Sequence, residues 1–201
     1  RTDNEWFRGG RPSKLVRADI FDAIEKSLAK LQTDYLDLYQ IHFPDRPVPW
    51  GANPTRVDND SETILEDETP IAETLAVFDE LVKQGKIRHF GLSNESSWGV
   101  MRYLAESDKG VGPRPASLQN AYSLVNRTFE VNLAEVCRRE TVSLLAYSPL
   151  AQGYLSGKYD NGALPKGSRK QLFDRLQRYE KPHALDAHPL KYIRFSGEKD
   201  R

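Results

Sequence analysis

The sequence predicts an α/β fold, an incomplete (β/α)8 TIM barrel, and three observations lead there. Short apolar strands alternate with amphipathic helices, the pattern of βα units around a parallel sheet. No G-x-G-x-x-G turn follows a strand, which removes the main support for a doubly wound nucleotide fold. Polar residues gather at the C-terminal ends of the strands, at His42, Ser93-Asn94, Gln119-Asn120 and Tyr147-Ser148, where a barrel keeps its chemistry. Four strands are legible. A full barrel takes about 250 residues and this chain has 201, so the four are read as part of one.

The first helix is residues 19–31, DIFDAIEKSLAKL. It sets Ile20, Ile24, Ser27, Leu28 and Leu31 on one face, and Asp19 can cap its start. Residues 35–42 alternate with period two: Leu36, Leu38, Gln40 and His42 share one face, and Tyr35, Asp37, Tyr39 and Ile41 the other. Residues 43–70 show neither period and are rich in Pro, Asp, Asn and Glu, with Trp50 among them. A loop of that length inside a compact domain is usually functional or disordered. Residues 72–84 form a helix with Leu75, Phe78, Leu81 and Val82 inward, and Gly85 stands where a C-cap glycine belongs.

A strand follows at 86–93, and Asn94 to Ser97 offer several N-caps for a helix carrying Trp98, Met101, Leu104 and Ala105. After the turn at 110–115, residues 116–122 read as a strand. Residues 129–140 read as a helix with Leu133, Val136 and Cys137 inward, and 142–148 as a strand stopped by Pro149. Parallel strands of this kind are expected to bury both faces.

Lysine plus arginine and aspartate plus glutamate number 29 each, so the net charge is zero. Nucleic acid is therefore not the expected partner, since that needs a basic excess. No apolar run approaches the roughly 18 residues of a membrane span. The polar start carries no signal peptide, and the single Cys137 excludes an internal disulfide framework. A cytoplasmic location is the expectation. No histidine, cysteine or carboxylate spacing suggests a metal. GYLSGKY at 153–159 lacks one residue between its glycines and has Tyr159 in place of Ser or Thr, so it is not a phosphate-binding Walker loop.

Each polar position has a structural and a functional reading. His42 is either a packed imidazole at a strand end or a group that donates a hydrogen bond to a carbonyl oxygen. Ser93 and Asn94 either cap a helix or grip a planar amide. Gln119 and Asn120 either close a polar network across the barrel or recognise a ligand. Tyr147 either packs or presents a flat face to a planar ring. Gly153, Gly157, Lys158 and Arg169 either form a solvated basic loop or admit an anion. His89 is read as structural.

Three stretches together resemble the aldo-keto reductase superfamily, in its Tas-type and potassium-channel β-subunit-like branch. TDYLDLYQIHFPDR is similar to the family's strand-4 signature, GKIRHFGLSNE to its strand-5 signature, and LLAYSPLAQGYLSGKY to its strand-7 cofactor loop. The resemblance covers about residues 14–182. It implies a barrel that binds NADPH and reduces aldehydes and ketones by hydride transfer.

It also implies roles. His42 would orient and polarise the carbonyl. Ser93, Asn94 and Gln119 would hold the nicotinamide carboxamide, and Tyr147 would stack on the ring. Ser148, Pro149, Leu150, Gln152, Gly153 and Lys158 would form the pyrophosphate loop. Arg169 would lie near the adenosine end, and Trp50 on the substrate loop would line the pocket. The family's catalytic set is Asp, Tyr, Lys and His, and only His42 has a match. Strands 1 to 3 and 8 are expected to be missing, with 1–182 a partial barrel and 183–201 an atypical tail. Such a chain is expected to be an NADPH-dependent reductase of small carbonyl substrates, impaired by truncation. The alternatives are an NADPH-binding regulatory subunit with little turnover, and a fragment that does not fold alone. The sequence carries no marker of oligomeric state.

Overall fold

A computed structural model describes residues 14–46, 48 and 66–172. Helix α1 (Arg17–Leu31) follows its apolar stripe, with Ile20, Ile24 and Leu28 buried. It starts two residues before the expected point, so Asp19 does not cap it. Val16 is the N-cap, without a side-chain bond, and Asp19 lies in the first turn, where a carboxylate still favours the positive end of the helix. Leu31 is 63% exposed rather than inward, because Gln32 turns the chain at once in a left-handed conformation (φ 54°).

Strand β1 (Leu36–Ile41) precedes helix α2 (Ile71–Lys83), which buries Leu75, Phe78 and Leu81. Gly85 (φ 71°) follows the C-cap Gln84 in the left-handed region that a glycine tolerates. Strand β2 (Ile87–Ser93) leads to helix α3 (Ser97–Asp108). Of the N-cap candidates it is Ser96 that caps, its hydroxyl oxygen accepting from Gly99 N–H at 3.2 Å. The helix turns Val100, Tyr103 and Leu104 inward. Trp98 and Met101 are 62% and 43% exposed; at roughly 100° per residue Met101 falls to the side of that stripe and Trp98 nearly opposite it.

Strand β3 (Ser117–Ala121) is followed by a 3₁₀ turn at Thr128–Glu130, helix α4 (Leu133–Arg139) and strand β4 (Ser143–Tyr147). The expected single helix over 129–140 is thus divided. Phe129 docks on Tyr122, ring centroids 5.5 Å apart, and Val131 is 73% exposed. Beyond β4 come two 3₁₀ turns and the short helix α5 (Arg169–Leu172). No described helix is long and apolar enough to cross a membrane.

The four strands are parallel and lie in chain order, β1-β2-β3-β4. Right-handed crossovers between neighbouring parallel strands put every helix on the same side. The core forms there: Phe90 contacts Phe78 at 5.1 Å and Tyr103 at 6.1 Å between ring centroids, and Tyr39 reaches Phe78 at 6.1 Å. A doubly wound fold would cover both faces, so the arrangement is part of a barrel wall. Accordingly the expectation that both strand faces are buried fails for the inner face. Leu38, Leu145 and Tyr147 are 37%, 39% and 40% exposed, because no second half of a wall lies opposite them among the described residues. On that face Gly91 lies between Gln40 and Ser117, where a side chain would strike Ser117 Oγ and crowd Gln40.

Candidate functional site

Because the strands are parallel, their C-terminal ends lie along one rim. Register brings Ile41 beside Leu92, Ser93 beside Gln119, and Ala121 beside Tyr147. The sequence-predicted residues His42, Ser93, Asn94, Gln119 and Tyr147 therefore share a rim.

Neither Ser93 nor Asn94 caps α3; both tie strand ends together. The Ser93 hydroxyl donates to Gln119 O at 2.8 Å, and Asn94 Nδ2 donates to His42 O at 2.9 Å. Asn94 adopts a left-handed conformation (φ 53°), one that asparagine tolerates better than most residues. Gln40 Nε2 donates to Gln119 Oε1 at 3.3 Å, while Gln40 Oε1 is buried without a partner. Asn120 takes the structural role: Nδ2 donates to Glu95 O at 2.9 Å and Oδ1 accepts from Glu95 N–H at 3.2 Å.

His42 follows the last residue of β1. Its ring leans on Phe43 with centroids 4.4 Å apart, and the residue is exposed. Burial lowers its pKa below the ordinary imidazole value, so at neutral pH the ring is uncharged and keeps one N–H to donate.

After Tyr147 the chain makes a tight, strained loop. Ser148, Ala151 and Gln152 all have positive φ (57°, 48° and 60°), and Gly153 has φ 102°. Ser148 Oγ accepts from Gln152 N–H at 3.2 Å. Pro149 and Leu150 face outward. Strained φ values cluster where a backbone is shaped for binding. A side chain at 153 would lie 2.5 Å from Lys158 Cε and 2.9 Å from its Nζ. The glycine thus lets the lysine fold back over the loop, its ammonium 5.2 Å from the Tyr159 ring centroid. Gln152 Oε1 is buried without a partner beside this cation-lined turn. An anionic group fits such a cradle. Tyr159 OH accepts from Lys170 N–H at 3.1 Å, which fastens α5 to the loop. Arg169, the first residue of α5, is exposed. Trp50 lies outside the described residues.

Sequence reasoning missed a second polar cluster at the same rim. Arg46 forms a two-pronged ion pair with Glu95, Nη1 reaching Oε2 at 3.2 Å and Nη2 contacting Oε1. Nη2 also reaches Ser96 Oγ at 3.3 Å, and the guanidinium stacks 4.8 Å from the Trp98 ring centroid. The side chains are only 13% and 3% exposed. A Cβ at Gly99 would collide with Glu95 Oε1 and Arg46 Nη2. Beside them Asp45, also buried, accepts from Leu15 N–H at 3.2 Å and Thr69 N–H at 3.3 Å. It thereby joins the two ends of the 43–70 loop. The available signal was Gly99 itself, a glycine inside a helical pattern at a cost of about 1 kcal/mol against alanine.

The family model "Aldo/keto reductase family" matches residues 7–188. Protein tas of Escherichia coli is 49% identical over 173 residues, covering 86% of this chain and 49% of its own length. The structure of an aldo/keto reductase from Klebsiella pneumoniae in complex with NADP and acetate superposes with TM-score 0.53 at 30% identity, covering 74% of this chain and 42% of that one. A glycerol dehydrogenase from Gluconobacter oxydans gives TM-score 0.62 at 27% identity, covering 86% of this chain and 42% of that one. The chain spans about half the length of the curated relatives it matches. Match, rim and one-sided helix layer agree: this chain belongs to the aldo/keto reductase family.

Proposed function

We propose that this chain is the cofactor- and carbonyl-facing part of an NADPH-dependent oxidoreductase that reduces aldehydes or ketones. One observation carries the reading: His42, the Ser93-Asn94-Gln119 group and Tyr147 share a rim with the cationic loop 148–158. The Klebsiella relative with bound NADP supports the choice of cofactor.

The residues present fit such a cofactor. The Gly153–Lys158 cradle suits phosphate, with Ser148, Pro149 and Leu150 completing the loop. Arg169 would serve the adenosine end. Tyr147, 40% exposed at the end of β4, offers its face for stacking. Ser93, Asn94 and Gln119 hold amide and hydroxyl groups for a carboxamide. When bound, NADPH supplies the hydride. The neutral His42 donates its N–H to the substrate carbonyl oxygen, where negative charge develops, and that bond strengthens as the charge grows. Trp50 and the 43–70 segment would select the substrate, a small carbonyl compound rather than nucleic acid.

The isolated chain is proposed to bind NADPH with turnover well below that of an intact reductase, since His42 alone matches the family's four-residue catalytic set. The test is an NADPH titration followed by protein fluorescence, alongside an NADPH-linked assay on an aldehyde panel. Saturable binding that weakens about tenfold or more in Lys158→Met, on loss of one charge-assisted contact, supports the reading. Absence of binding in the parent chain refutes it.

A further inference from the structure

We propose that Arg46 and Glu95 are positioning residues for His42, a buried clamp that sets where the imidazole stands on the rim. This role rests on reading His42 as the carbonyl-facing group. Between the end of β1 and Arg46 lie only His42, Phe43, Pro44 and Asp45. Both ends of that short span are fixed. On one side β1 is held in register with β2, and Asn94 Nδ2 grips His42 O. On the other, Arg46 is locked to Glu95 and Ser96 and stacked on Trp98.

The clamp is itself anchored from a third strand. Asn120 in β3 bonds both the N–H and the C=O of Glu95, so Glu95 cannot shift without β3. Asp45, the adjacent carboxylate, is engaged by Leu15 and Thr69. Gly99 leaves the volume that the pair fills.

A buried ion pair is a poor device for stability alone. Two apolar residues of similar volume usually do as well, because desolvation cancels much of the attraction. The planar guanidinium fork supplies fixed direction instead. Here that direction joins the loop that carries the reacting histidine to the loop that carries Asn94.

The experiment uses the full chain with labelled histidine, His42→Gln identifying the resonance among the four histidines. The parent is compared with Arg46→Met/Glu95→Met, which removes both charges together and leaves the net charge beside His42 unchanged. If the clamp positions His42, the double variant unfolds near the parent temperature. Its His42 titration midpoint rises toward the ordinary value of about 6.5. Arg46→Lys keeps the charge, loses the fork, and moves the His42 midpoint in the same direction by less. If the double variant does not fold, Arg46→Lys alone decides. A His42 midpoint unchanged in the folded variants overturns the proposal. A parent chain that fails to bind NADPH would remove the proposed reaction yet leave this comparison readable, so the two ideas fail separately.

Discussion

Replacing Gly99 by alanine sets two effects of opposite sign against each other. Gly99 is the third residue of α3, and alanine in a helix is favoured over glycine by about 1 kcal/mol. Propensity alone therefore predicts a gain. The added methyl group, however, would sit on Glu95 Oε1 and Arg46 Nη2, closer than the 3.0 Å that real Cβ contacts respect. The pair lies beneath Trp98 with Glu95 3% exposed, so it has little room to move aside. Separating a buried pair leaves uncompensated charge, at about 3–5 kcal/mol. The net expectation is a loss of about 2–4 kcal/mol, or roughly 5–15 °C in Tm for a chain of this size.

Thermal and urea unfolding of the full chain, followed by far-UV circular dichroism, measures it. The same substitution placed in the Arg46→Met/Glu95→Met background completes a cycle. There the clash with the charged groups is gone, and the helix-propensity gain should emerge. Gly99→Ala as stable as the parent, or more so, refutes the reasoning.

Two further outcomes follow from the rim. Ser96→Ala removes the cap of α3 and a contact with Arg46 and should cost about 1–2 kcal/mol, whereas Ser97→Ala, one residue on, should stay within about 0.5 kcal/mol. A denaturant series on the two variants separates them. The depressed pKa of His42 means that the unfolded chain binds its proton more readily. Its contribution to stability is full above the unfolded value of about 6.5 and is lost as pH falls from there through the folded value. Partial exposure of the ring keeps the effect small. His42→Gln should flatten that part of the stability–pH curve, and an unchanged slope would contradict it.

The βα order was legible because it rests on periodicity and punctuation. Alternation in 35–42 sorted Leu38 and His42 from Tyr39 and Ile41 correctly, and Gly85 marked a helix end. What was hidden depended on the register of a start. Ser96, rather than Asn94 or Ser97, caps α3, and the face that packs runs through Val100, Tyr103 and Leu104 and leaves Trp98 outside. The rim residues were legible as polar groups at strand ends, but their partners were not. That Ser93 donates to the backbone of Gln119 and Asn94 to that of His42 is set by strand register across dozens of residues. The Arg46–Glu95 pair was invisible for the same reason: two charges 49 positions apart look like any solvated surface until the sheet brings them together.

The chain-order sheet also bears on how the fold is acquired. Gly91 pairs with Ser117 and Ser117 with Ser143, so two of the three strand pairings close short segments. The pairing of Leu36 with Ile87 closes a segment about twice as long. Doubling a closed loop adds only about 0.6 kcal/mol of entropy. Every strand meets its neighbour in sequence, so contact order is low for a parallel sheet and assembly can proceed one unit at a time. The segment after His42 can therefore lengthen or shorten during evolution at little thermodynamic cost, as long as Asp45 and Arg46 keep its root in place.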